Sequence, residues 1–112
     1  MVEQIDAPTL AAARGDALAG AILLDVREAW EFQTARIDGS VNVPMSTLGA
    51  RVREVIDMQT SVDQPVVVIC HHGARSLQCA HFLQQQGVSP VINLRGGIDA
   101  WSSQVDATVP RY

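Results

Sequence analysis

Apolar residues fall in four short runs set between polar and glycine-bearing stretches. They are Ala21-Ile22-Leu23-Leu24, carried through Asp25 to Val26; Val41-Asn42-Val43; Val66-Val67-Val68-Ile69; and Val91-Ile92-Asn93-Leu94. The run from Val66 to Ile69 has no polar alternation, so it reads as a strand covered on both faces, as in a parallel sheet flanked by helices. Glu3-Gln4-Ile5 is a short strand ahead of these, and Pro44 stops the Val41 run. Between the strands the spacing turns helical. Asp6 is an N-cap with Pro8 in the first turn of a helix reaching about Arg14, closed by Gly15 and Asp16. A segment from Glu28 to Thr34 puts Trp30 and Phe32 on different faces, so at most one should be fully buried. Ser46 or Thr47 caps a helix whose Leu48, Val52, Val55 and Ile56 form one apolar stripe. A polar linker from Gln59 to Pro65 follows. A helix from Ala74 to about Gln86 ends at Gly87, and Gly96-Gly97 bends the chain into a last short helix through Trp101. Val105 to Tyr112 is extended and lies against the body if Val109 finds a groove. Strand and helix alternating over short connections predict an α/β fold: a mostly parallel five-stranded sheet with helices on both faces and right-handed crossovers.

The whole chain of 112 residues, 47% of them hydrophobic, suffices for a single domain with one core. A net charge of −4 gives no electrostatic reason to expect nucleic acid or an anionic membrane as partner. All eight basic residues are arginines. With no lysine, Schiff-base chemistry is excluded, and every positive side chain other than a protonated histidine is a planar hydrogen-bonding fork. Two cysteines nine residues apart make no disulfide framework, the amino-terminal stretch carries no export signal, and no apolar run suits a membrane span. A protein of the cytoplasm is expected.

Candidate chemistry collects where the Val66 strand runs into Cys70-His71-His72-Gly73-Ala74-Arg75-Ser76. Cys70 then sits at the carboxyl end of a strand, the edge at which ligands bind in open α/β sheets and at which the next helix presents its free amides. If the loop curls around its own N–H groups, with Gly73 permitting the turn, those donors converge on the sulfur. Together with the helix dipole and Arg75 they favour thiolate over thiol, which makes Cys70 a nucleophile that must be reachable from water.

Four stretches carry a family resemblance, in order along nearly the whole chain. Leu24-Asp25-Val26-Arg27-Glu28 with Glu31-Phe32 is the first and Ile37-Asp38-Gly39-Ser40-Val41-Asn42-Val43-Pro44 the second. The third is the Cys70–Ser76 loop and the fourth Leu94-Arg95-Gly96-Gly97-Ile98-Asp99-Ala100-Trp101. Each is weak alone, but the ordered set resembles the rhodanese-like sulfurtransferase family in its single-domain members. The second stretch departs from the family's usual Gly-His-Ile-Pro-Gly, with Arg36 in place of the His and Asp38 in place of the Pro. The resemblance implies that the Cys70 strand lies mid-sheet. It implies a thiosulfate sulfurtransferase in which Cys70 takes a sulfane sulfur from thiosulfate or a similar small-molecule donor and holds it as a persulfide. The sulfur then passes to cyanide, the customary assay acceptor, or to a thiol or thioredoxin-like acceptor protein. No cofactor or metal is called for.

For the site, Cys70 is expected to be catalytic, with His71, His72, Gly73, Ala74, Arg75 and Ser76 binding substrate. Each has a plainer reading. Cys70 could be a small buried hydrophobe, and Cys79, on a helical face with Ala80 and Leu83, is expected to pack into the core rather than serve as a resolving thiol. Adjacent histidines do not converge easily on one ion, so His71 and His72 are expected to attract an anion rather than bind metal. Arg75 either grips substrate oxygens or pairs with Asp25 or Glu31 as a brace. Asp25 and Arg27 are expected to tie down loops, Trp30 and Trp101 to pack, and Gly96-Gly97 to supply backbone geometry. Two other functions fit the same scaffold. A phosphatase or arsenate reductase would need a wider loop than the four residues between Cys70 and Arg75. A non-catalytic rhodanese-like binding or sensing module would need no cysteine at all.

Overall fold

The computed structural model describes residues 2–112. Strands β1 (Glu3–Ile5), β2 (Ile22–Asp25), β3 (Val41–Asn42), β4 (Val66–Ile69) and β5 (Val91–Leu94) alternate with helices α1 (Ala7–Ala13), α2 (Ala29–Thr34), α3 (Met45–Leu48), α4 (Val52–Met58), α5 (Ala74–Gln85) and α6 (Gly97–Gln104). All strand pairs are parallel, in the order β1-β5-β4-β2-β3. The strand leading to Cys70 is therefore the middle one, and each of its residues from Val66 to Ile69 is fully buried.

Alternation along β4 divides the core. Val66, Val68 and Cys70 face one layer with Leu48, Val55, Cys79, Ala80 and Leu83 from α3, α4 and α5. Val67 and Ile69 face the other, against Ala7 and Leu10 of α1 and Ile98 and Trp101 of α6. Both faces of the sheet are thus dry, which is why β4 and β5 carry no polar residue besides Asn93. Val109 packs onto the α1/α6 layer, so the segment after α6 does lie against the body. Among the described residues no helix is long and apolar enough to cross a membrane.

Local signals behave as the residues dictate. Asp6 caps α1 by accepting from the Thr9 amide at 2.9 Å. Gly87 follows α5 in the left-handed region, φ +93°. Three expectations change. The single helix expected from Ser46 is two, α3 and α4, parted at Gly49-Ala50-Arg51, and Pro44 rather than Ser46 or Thr47 stands at its start. The stripe survives the break, because Leu48 and Val55 still enter the same layer. Trp30 does not pack inside: it is 62% exposed, and its helix α2 is a short rim element whose one buried residue is Glu31. The last helix continues past Trp101 to Gln104.

Candidate active site

At the carboxyl end of β4 the chain leaves the sheet through Cys70, turns at Gly73 with φ +106°, and enters α5. The turn brings the Gly73 N–H to 3.0 Å from Cys70 Sγ. Of the donors expected to converge, this amide alone makes the bond among the described residues. Gly73 offers no side-chain cap, and the first backbone bond into α5 runs from Leu77 to the Gly73 carbonyl. The first-turn amides of Ala74, Arg75 and Ser76 are thereby left at the helix start for an anion to use.

Two neighbouring elements fix the loop. Ile98 and Asp99, in the first turn of α6, donate their backbone N–H groups to the Cys70 and His71 carbonyls at 2.8 and 3.1 Å. This approach needs Gly97: at φ +59°, a Cβ there would stand 2.5 Å from the His71 carbonyl oxygen and closer still to that of Cys70. From the other side the buried Ser76 hydroxyl bonds Asn93 Oδ1 at 2.5 Å and the Gly73 carbonyl at 3.1 Å. Ser76 therefore holds the loop through its side chain, leaving its amide to face a ligand.

Arg75 resolves as a brace in this arrangement. Its two terminal nitrogens donate to Glu31 Oε1 and Oε2, each at 2.8 Å, a bidentate pair. The Arg75 guanidinium holds the Glu31 carboxyl far below the usual carboxylate range, at about 2, and Glu31 in return raises Arg75. Asp25 and Arg27 form a second, fully buried pair, with Arg27 Nε 2.9 and 3.0 Å from the two Asp25 carboxylate oxygens. Asp25 also accepts from the Arg27 amide at 3.0 Å, so it ties down the chain after β2 as expected.

His71 and His72 stack on one another, ring centres 4.0 Å apart, so their rings do not converge on a common point. Burial, helped by His72, pushes His71 downward from its ordinary value and away from the protonated form. Its expected role as a cation that draws in an anion is correspondingly weakened. His72 is mostly exposed and stands 3.9 Å from Asp99. Cys79 is buried among the apolar residues of α5 and the sheet, and burial raises its thiol to about 11, which suits packing rather than thiol exchange.

Cys70 is only 1% exposed, against the expectation of a sulfur open to water. The loop wraps it from one side and the α3–α5 core layer from the other. A residue absent from the expected site lies on the rim: the Tyr112 ring stacks on His71 at 4.1 Å. Its hydroxyl donates to Glu31 Oε2 and accepts from Arg27 Nη1, both at 2.8 Å. Nothing in the sequence near Tyr112 carries periodicity or a motif that would have placed it there.

The model of the rhodanese-like domain family matches residues 7–104. A sulfurtransferase of Allochromatium vinosum is 36% identical over 91% of this chain and 90% of its own length. The thiosulfate sulfurtransferase GlpE of Pseudomonas syringae is 35% identical over 73% of each chain. In other relatives the matching stretch is only 30% or 22% of a longer protein. Among solved structures, a rhodanese-related protein of Thermoplasma volcanium superposes with a TM-score of 0.73 at 32% identity, over 92% of this chain and 93% of that one. A five-stranded parallel sheet with a cysteine loop at the carboxyl end of its middle strand, the four ordered motifs, and these likenesses together show that the chain belongs to the rhodanese-like domain family and has sulfurtransferases among its relatives.

Proposed function

We propose that this protein is a thiosulfate sulfurtransferase whose Cys70 carries the sulfur between donor and acceptor. The thiolate attacks the outer sulfur of thiosulfate, a new S–S bond forms, and the bond to the sulfonate sulfur breaks with its electron pair leaving on sulfite. A persulfide remains on Cys70. Cyanide, or a cellular thiol, then takes the outer sulfur, and the electron pair of the broken S–S bond returns to Cys70 as thiolate. No proton donor is needed at either step, and one near the sulfur would quench the nucleophile.

The observation that carries this proposal is the Gly73 amide, 3.0 Å from Cys70 Sγ, at the head of a helix whose first-turn amides have no capping side chain. A negative sulfur, as thiolate or as persulfide, finds preorganised main-chain donors there. Gly73, Ala74, Arg75 and Ser76 contribute through their backbones, and His71 and His72 form the loop's outer side. Two free cysteines suit a reducing compartment such as the cytoplasm. A phosphatase is less well served. Only four residues separate Cys70 from Arg75, and the Arg75 fork is occupied by Glu31 instead of standing free over the loop.

One observation favours a binding module instead, namely the 1% exposure of Cys70. The three readings are separated by assaying thiosulfate:cyanide sulfur transfer and p-nitrophenyl phosphate hydrolysis on the protein and on Cys70→Ser. Transfer that disappears in Cys70→Ser, without phosphate release, is the expected result. Cysteine-dependent phosphate release, or no activity of either kind, would overturn the proposal.

A further inference from the structure

The segment after α6 lies beyond residues 7–104, the part of the chain matched by the family model, yet it ends on the rim of the Cys70 loop. Arg111 reaches Asp99 of α6 with a bidentate pair at 3.0 and 3.2 Å. Tyr112 then joins the two sides of the rim. On the α2 side its hydroxyl holds Glu31, its ring meets the exposed Trp30 edge-on at 5.8 Å, and Arg27 donates to it from below. On the loop side its ring lies flat on His71, 10° from parallel.

The holds on the two sides differ in kind. The loop is pinned by backbone bonds to α6 and by the buried Ser76–Asn93 contact. Asp106 is tied to α6 through its N–H on the Trp101 carbonyl; beyond it the backbone bond is local, from Val109 to Asp106, and residues 107–112 meet the body through Val109 and the side chains of Arg111 and Tyr112. It can lift without disturbing the sheet, which the loop cannot. Meanwhile Cys70, at 1% exposure, has to be reached by whatever reacts with it.

We propose that Tyr112 is a specificity-determining residue: it bridges the rim of the Cys70 loop, from His71 to Glu31, and sorts the molecules that reach the sulfur by size. This rests on the reading of Cys70 as a sulfur carrier. With Tyr112 seated, small inorganic ions such as thiosulfate and cyanide pass; a bulky thiol acceptor, of the size of a tripeptide or a protein dithiol, requires the strap to lift. Tyr112 takes no part in bond making or breaking. It acts through Glu31 and His71, by fixing the separation of the two sides of the rim.

The test compares how fast Cys70 is modified by a small reagent, iodoacetamide, and by a bulky one, fluorescein-5-maleimide, with the labelled peptide identified by mass spectrometry. In Tyr112→Ala the bulky reagent gains at least about tenfold relative to the small one, the factor that a single net hydrogen bond of about 1.4 kcal/mol is worth. Tyr112→Phe, which keeps the ring and loses the hydroxyl bridge, falls between. Arg111→Ala frees the strap at its pair with Asp99 while leaving the Tyr112 ring in place, and shifts the ratio the same way, which guards against a Tyr112→Ala protein that folds poorly. An unchanged ratio in all three variants overturns the proposal. Labelling does not require turnover, so it is read independently of sulfur transfer. In the transfer assay, Tyr112→Ala raises kcat/KM for glutathione as acceptor and not for cyanide. Labelling that changes in a protein with no transfer activity would leave the gate standing and remove the sulfur-carrier reading instead.

Discussion

Glu31 accepts two hydrogen bonds from Arg75 and one from Tyr112, and its carboxylate is the hinge between α2, the Cys70 loop and the strap. Because Arg75 lowers its pKa from 4.5 to about 2, Glu31 contributes stability that is fully present above about pH 4.5 and is lost as the pH falls through about 2. Unfolding followed by circular dichroism across that window should show the protein losing stability with acid. Glu31→Gln should flatten this limb and lower stability at neutral pH, because Arg75 and the Tyr112 hydroxyl lose their charged partner. An unchanged acid limb in Glu31→Gln would show that other carboxylates set it. In sequence alone Arg75 suits gripping substrate and bracing the loop equally, since a guanidinium fork fits either and only its partner's position decides. Glu31 supplied that partner from 44 residues away.

Among the elements, the inner strands β2, β4 and β5 were legible because a sheet covered on both faces demands short apolar runs, α1 because Asp6 caps its start, and α5 because Gly87 closes its end. The break between α3 and α4 was not. Leu48, Val52, Val55 and Ile56 hold helical spacing across it, and periodicity in side chains does not report on the backbone at Gly49-Ala50-Arg51. Gly96-Gly97 in the sequence points to backbone geometry, and the structure supplies the reason. Gly97 lets the start of α6 lie against the Cys70 and His71 carbonyls. Gly97→Ala is therefore expected to push α6 off the loop and to lower stability by about 1–3 kcal/mol, with a larger fractional loss of thiosulfate:cyanide activity than of folded protein. Gly49→Ala, at an exposed position with open space around its Cα, should leave both nearly unchanged. Equal behaviour of the two variants would contradict the account of α6 as the loop's support.

On the scale of the whole molecule, the central place of the Cys70 strand was implied by the family likeness and the helices on both faces by its unbroken apolar run, while the strand order β1-β5-β4-β2-β3 and the division of the core come from the structure. What stayed hidden was tertiary. The occlusion of the sulfur depends on how the Cys70 loop closes against the α3–α5 core layer, and the arrival of Tyr112 on how a short segment without regular structure folds back to the loop's rim; no local pattern encodes either. For the proposed function to hold, a small donor must reach the buried Cys70 and leave an atom behind. Intact mass spectrometry after thiosulfate treatment and removal of the donor observes that atom without assuming an acceptor. One added sulfur is expected on the protein and none on Cys70→Ser; an unmodified mass, or the same addition on Cys70→Ser, would show that Cys70 does not carry the sulfur.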